Sequence, residues 1–321
     1  MTKQTSLKGI HHVTAMTSDA VKNYQFFTEV LGMRLVKKTV NQDDIYTYHT
    51  FYADDQGSPG TDMTFFDFPN NPPGVRGTNA ITRTSFRVPT NESLDYWVKR
   101  FDTLNVRHEG ISDLFGKKVL PFEDDDQQRY QLISDEDNQG VIGGTPWKKG
   151  PVPLKHAIYG LGPIEITVAY FERFKEIMTS VYGFTIVTDE QDVVLLEVGE
   201  GGNGAQMILR HDTQSPIARQ GYGEVHHVAF RVADQEVLYA WLDKYQRLGI
   251  PNSGHVDRYY FEALYARIGH ILIELSTDGP GFMGDEPYET LGEHLSLPPF
   301  LENQRAYIES EIRPFNTKRE D

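Results

Sequence analysis

Two short signatures in this chain have the residue types to hold a metal ion. Gly9-Ile10-His11-His12-Val13-Thr14 stands near its start, and Glu224-Val225-His226-His227-Val228 repeats the His-His-Val order far downstream. A carboxylate, Glu274, interrupts the apolar run Ile271-Leu272-Ile273 before Leu275. Buried without a partner, such a carboxylate is costly, and a cation would supply the partner. Two imidazoles and one carboxylate with open coordination positions form the facial triad of non-haem Fe(II) chemistry. His12, His227 and Glu274 are therefore the expected ligands of one divalent ion, Fe(II) first, with Mn(II) or Zn(II) as alternatives. The open positions would accept an aromatic diol and O2.

The elements that must position these residues read as strands, rich in β-branched and apolar side chains. Alternation along Val225–Val232 puts Val228, Phe230 and Val232 on a packed face with His226, and His227 on the opposite one. Along 270–276 it puts Ile271, Ile273 and Leu275 on the packed face, and His270, Leu272, Glu274 and Ser276 opposite. His11 and His226 thus read as structural or supporting residues, and His270 as a candidate acid/base group on the Glu274 face. The same unit recurs along the chain: a strand, a helix, a glycine such as Gly32, Gly183 or Gly249, then further strands, with a period of about 60 residues. A second unit near 78–137 lacks the closing glycine. The expected fold is α+β, four βαβββ modules forming two curved-sheet cups. Aligned on shared landmarks, His12 falls opposite Pro163, His227 opposite Arg83, and Glu274 opposite Phe65. Ligand chemistry survives only in modules one and four, so these two are expected to face each other across one cup, and modules two and three across a metal-free one.

Length and composition bound the rest. The 321 residues suit two domains with cores of their own. The expected layout is modules one and two over 1–140, a linker over 141–154, and modules three and four with a helical tail over 155–321. The linker is punctuated by Gly143-Gly144-Thr145-Pro146 and Gly150-Pro151-Val152-Pro153. A net charge of −15 argues against nucleic acid and anionic membranes, which need clustered Lys and Arg. No apolar run is long enough to span a bilayer, and the polar start Met1–Ser6 is unlike a signal peptide. With no cysteine, disulfide frameworks and thiolate chemistry are excluded. The expected location is the cytoplasm, and a homodimer is compatible with the sequence. The acidic run Glu123-Asp124-Asp125-Asp126 reads as a solvated loop, and Gly199–Gly204 as a hairpin loop.

The βαβββ repeat, the His-His-Val openings and the late-strand glutamate resemble the vicinal oxygen chelate superfamily, which includes glyoxalase I and the type I extradiol dioxygenases. Asp257-Arg258-Tyr259-Tyr260-Phe261-Glu262-Ala263-Leu264-Tyr265, followed by Glu274-Leu275-Ser276-Thr277-Asp278-Gly279-Pro280-Gly281-Phe282, resembles more narrowly the bacterial ring-cleaving dioxygenases of hydroquinone and quinone metabolism. The likeness covers nearly the whole chain. One departure is the loop before the last strand, Arg267-Ile268-Gly269-His270, which is shorter than the usual Pro-Gly turn. The resemblance implies a metal-dependent, extradiol-type dioxygenase acting on a catechol or hydroquinone-like aromatic, with Tyr265 as the first acid/base candidate. Tyr260 is a further candidate. Arg258 and Arg267 read as surface or ion-paired. Two alternatives are a glyoxalase-like isomerase or lyase, disfavoured by Phe65 where a second carboxylate would stand, and a non-enzymatic resistance or ligand-binding module, which would need no triad.

Overall fold

The computed structural model describes residues 5–319, so Met1–Gln4 of the polar start lie outside the described residues. Module one comprises β1 (Ile10–Met16), α1 (Ala20–Gln25), β2 (Arg34–Asn41), β3 (Asp44–Ala53) and β4 (Asp62–Phe66). Module two comprises β5 (Ala80–Val88), α2 (Asn91–Leu104), β6 (Ser112–Leu114), β7 (Lys117–Glu123) and β8 (Arg129–Ser134). Module three comprises β9 (Leu161–Val168), α3 (Phe171–Ser180), β10 (Thr185–Glu190), β11 (Val193–Glu197) and β12 (Gln206–His211). Module four comprises β13 (Val225–Val232), α4 (Gln235–Leu248), β14 (Asn252–Asp257), β15 (Phe261–Ile268) and β16 (Ile271–Pro280), and α5 (Arg305–Glu311) lies in the tail.

Each helix forms for reasons visible in its sequence. Apolar residues recur at three- and four-residue spacing and turn one stripe inward: Leu94, Trp97 and Phe101 in α2, Phe171, Phe174 and Met178 in α3, Leu238, Trp241 and Tyr245 in α4. Side-chain oxygens of Asp19, Thr90 and Asp234 accept from first-turn N–H groups. At the other ends, Gly32, Gly183 and Gly249 take the left-handed conformation that stops a helix. Module two does the same without glycine, because Asn105 adopts φ 55° and tolerates it. One apolar cluster runs through all four modules, with Trp97 and Trp241 fully buried in it. Truncating either to alanine is expected to cost about 3–5 kcal/mol.

Two eight-stranded sheets result, ordered β14-β15-β16-β13-β1-β4-β3-β2 and β10-β11-β12-β9-β5-β8-β7-β6. Modules four and one thus share one sheet, and modules three and two the other, as the distribution of ligands requires. Antiparallel seams join the paired modules, β1 to β13 and β5 to β9. The segment 141–154 runs back over module one: Thr145 N–H donates to the Asp54 carboxylate, and Val152 packs on Gly32. The acidic run differs from a simple solvated loop, since Asp126 accepts from the Thr17 and Ser18 hydroxyls and ties module two to the β1–α1 corner. No described helix is long and apolar enough to cross a membrane.

Candidate metal centre

Three adjacent strands, β16, β13 and β1, bring Glu274, His227 and His12 together. All three side chains are buried. Glu274 Oε2 lies 3.2 Å from His12 Nε2 and 2.9 Å from His227 Nε2. The two Nε2 atoms are 3.3 Å apart. Three donors at right angles around an ion with bonds of about 2.0–2.2 Å would lie about 3 Å from one another, so the triangle has the size of one face of a coordination octahedron. Among the described residues, this is the cluster of ligand-type side chains that could hold an ion.

The proton positions agree. His11 Nε2 lies 3.0 Å from the Thr277 carbonyl, which can only accept, so the His11 proton sits there. Burial, and then His12, push His11 down to about 3, keeping it neutral with its Nδ1 lone pair free. Nδ1 of His12, 2.9 Å away, must then donate to it, which leaves Nε2 as the ligand-type atom turned toward Glu274. Module four repeats the contact, with the Nδ1 atoms of His226 and His227 2.7 Å apart and burial lowering both histidines. Glu274 Oε2 is enclosed and faces the two Nε2 atoms, whereas Oε1 is fixed by the Ser276 hydroxyl at 2.8 Å. Two imidazole nitrogens converging with an enclosed carboxylate oxygen fit a divalent cation.

Strict alternation would place His11 and His226 on the packed face, away from their neighbours. They lean over because each is the extra residue of a β-bulge. The β1–β13 register steps from Ile10↔Phe230 to His12↔Ala229, and from Thr14↔His227 to Ala15↔Val225. A bulge re-aims a side chain in this way. His226 as a result also borders the cavity over the ligands. The register corrects a second expectation. Glu274 pairs with Ala229, two residues beyond His227, and in module one Thr14, two beyond His12, pairs with Thr64. The counterpart of Glu274 is therefore Thr64 rather than Phe65, whose ring packs into the core against Phe27 and Tyr52.

A cavity of about 280 Å³ opens over the three ligands. Phe51, Phe66, Phe68 and Phe261 give it aromatic walls; Thr39, Asn41, His49, Arg258 and Tyr265 supply polar atoms. Tyr265 pairs with Glu274 across β15 and β16. Burial, and then the Glu274 charge, push its phenol up, so it stays protonated. Arg258 Nε donates to its oxygen at 3.2 Å, and the guanidinium is paired with Asp43 at 2.9 Å. Arg258 was expected to be ion-paired; its place in the cavity wall was not foreseen. Tyr260 also lines the cavity, but its hydroxyl donates to Asp285 at 2.9 Å, and Asp285 with Glu286 neutralises the buried Lys37 ammonium. His270 is displaced from the role expected of it. It shares the Glu274 side of the strand but precedes it by four residues, about 13 Å at strand rise, and lies exposed in the β15–β16 turn beside Tyr170. It borders a separate cavity of about 230 Å³ instead. His49, unnoticed in the sequence, faces the ligands from β3. A lone histidine in a mixed strand offered no signal beyond sharing a face with Phe51.

Known proteins resemble this chain over nearly its whole length. The model of the Glyoxalase/Bleomycin resistance protein/Dioxygenase superfamily matches residues 9–131 and 160–279. The chain is 47% identical over 314 residues to a Bacillus subtilis protein named "Putative ring-cleaving dioxygenase MhqA", covering 96% of this chain and 99% of that one. It is 30% identical over 302 residues to the "Chlorohydroquinone/hydroquinone 1,2-dioxygenase" of Sphingobium indicum, covering 92% and 93%. The crystal structure of a "putative dioxygenase" from Bacillus subtilis superposes with a TM-score of 0.89 at 33% identity, over 98% of this chain and 99% of that one. With both halves matched and relatives aligned end to end, the chain belongs to the Glyoxalase/Bleomycin resistance protein/Dioxygenase superfamily.

Proposed function

We propose that this protein is an Fe(II)-dependent ring-cleaving dioxygenase of extradiol type, acting on a catechol or hydroquinone-like aromatic with O2. One observation carries the reading: two imidazole nitrogens and a carboxylate oxygen converge within 3.3 Å of one another beneath an aromatic-walled cavity. His12, His227 and Glu274 would hold the ion, and Mn(II) is the alternative occupant of such a site. When bound, the metal supplies the charge exchange between an electron-rich ring and dioxygen. The chain's own residues bind, orient and shield. Phe51, Phe66 and Phe261 flank a planar ring, and their apolar surface excludes water. Tyr265, protonated and bonded by Arg258, is placed to give a proton to an oxygen developing charge above the ligands. Relatives named ring-cleaving dioxygenases support the same assignment. Thr64 at the pseudo-equivalent position of Glu274 leaves no second carboxylate for a glyoxalase-type donor set.

The test is anaerobic reconstitution with Fe(II), followed by oxygen uptake with catechols and substituted hydroquinones, beside His227→Ala. The expected result is uptake coupled to a ring-opened product and lost in the variant. Bound metal without uptake across the panel would move the assignment to an isomerase or lyase, and no bound metal to a ligand-binding module.

A further inference from the structure

We propose that His49 is a substrate-binding residue whose Nδ1 hydrogen-bonds a ring oxygen remote from the one held at the metal, so that the site selects aromatics carrying two separated oxygens. The inference rests on the ring-cleaving reading above. His49 borders the same cavity as His12, His227 and Glu274. Its ring is held on three sides. Phe51 and Phe66 flank it at centroid distances of 4.1 and 4.4 Å. Nε2 meets the Thr64 hydroxyl at 3.0 Å, and Thr64 meets the Thr14 hydroxyl at 2.7 Å. A ladder of side-chain hydrogen bonds thus crosses β1, β4 and β3, starting two residues from His12.

Nδ1 is left over. Among the described residues it has no hydrogen-bond partner, and it is not among the enclosed, unpartnered polar atoms. A ring packed for apolar reasons alone would not need the polar anchor at Nε2. Burial, and then His12 and His227, hold His49 well below the ordinary imidazole range, so the group offered is neutral imidazole. Strand order sets the reach. β3 lies two strands from β1, about 10 Å along the sheet at ordinary strand spacing, and the curvature of the cup shortens the direct path. An aromatic ring held at the ligands by one oxygen extends across that gap, and an oxygen on its far side meets His49.

Hydroquinone and phenol differ only in that second oxygen. Their dissociation constants would be measured by calorimetry under nitrogen on protein loaded with redox-inert Zn(II), which separates binding from turnover. In wild type hydroquinone is expected to bind more tightly than phenol. His49→Gln keeps a donor near Thr64 but withdraws the nitrogen at the Nδ1 position; it is expected to reduce the preference about ten-fold, the usual worth of one hydrogen bond. His49→Asn retains a polar group at the Nδ1 position and is expected to keep most of the preference. Thermal melts of the variants check folding. An unchanged preference in His49→Gln, or equal weakening of both ligands, overturns the inference while leaving the functional reading intact. Failure of wild type to bind either ligand overturns both.

Discussion

The two sheets are built on one plan and differ at the few positions where a metal would sit. The second sheet has the same seam with the same irregularities. Its β5–β9 register steps from Ile81↔Ile166 to Arg83↔Glu165, a bulge at Thr82 where module four has His226. Arg83 stands where His227 stands, and Pro163 where His12 does. Ser85, two residues beyond Arg83, pairs with Gln131, which makes Gln131 the counterpart of Glu274. Gln131 donates to the Ser85 hydroxyl at 2.8 Å, and Glu165 pairs with Arg210 at 2.7 Å. The second cup ties the counterpart of Glu274 to a neighbouring hydroxyl, whereas the first turns Glu274 Oε2 toward two histidine nitrogens. The backbone device is therefore generic to the fold, and the proposed metal binding would reside in three side chains placed on it.

That comparison can be broken from either side. Glu274→Gln gives the first cup the amide of the second and is expected to abolish ion retention. Oxygen uptake should fall on the order of 10³-fold, the several kcal/mol a metal supplies. The reciprocal Gln131→Glu should gain no ion, since Arg83 and Pro163 cannot ligate, and should leave uptake unchanged; an ion bound there by elemental analysis would contradict the comparison. Next in size is metal-linked stability. At free ion one hundred times Kd, the melting free energy should rise about 2.7 kcal/mol in wild type and Gln131→Glu, and not in Glu274→Gln.

His11→Phe sharpens the account of the bulge. Removing the group that accepts from His12 Nδ1 should weaken metal affinity about 10–100-fold in a chelator competition, with all three ligands still present. The same variant yields the smallest effect, one of pH. Unfolded His11 binds a proton below about 6.5, and the folded form refuses it until about 3. The unfolded state therefore gains protons first as pH falls, and metal-free wild type should lose stability relative to His11→Phe through that window. The slope is up to about 1.4 kcal/mol per pH unit, read from urea melts at pH 7, 6 and 5. A constant difference would contradict a buried neutral His11.

Much of this was legible in the chain. The repeat announced four modules, and the unequal survival of His12, His227 and Glu274 predicted which modules pair, because ligands of one ion must converge. What escaped depended on register and depth. Alternation placed His270 on the correct face but could not say that four residues of strand separate it from Glu274. It assigned His11 and His226 to the packed face, since nothing in His-His-Val marks a bulge. Aligning last strands on a glycine set Phe65 opposite Glu274, one residue from the paired Thr64. The closing glycine that module two lacks is replaced by Asn105, because both residues tolerate a left-handed cap. His49, and the tail carboxylates that occupy Lys37 and Tyr260, required strand pairing and long-range packing that no local pattern encodes.

The central claim is that one metal ion binds in the cup shared by modules one and four and nowhere in the other. The most direct measurement is crystallography of anaerobically Fe(II)-loaded protein with anomalous scattering at the iron edge, alongside elemental analysis of the same sample. The account predicts one anomalous peak per chain, within bonding distance of His12 Nε2, His227 Nε2 and Glu274 Oε2. A peak bound by other residues, or loaded protein without a peak between these three atoms, would contradict it.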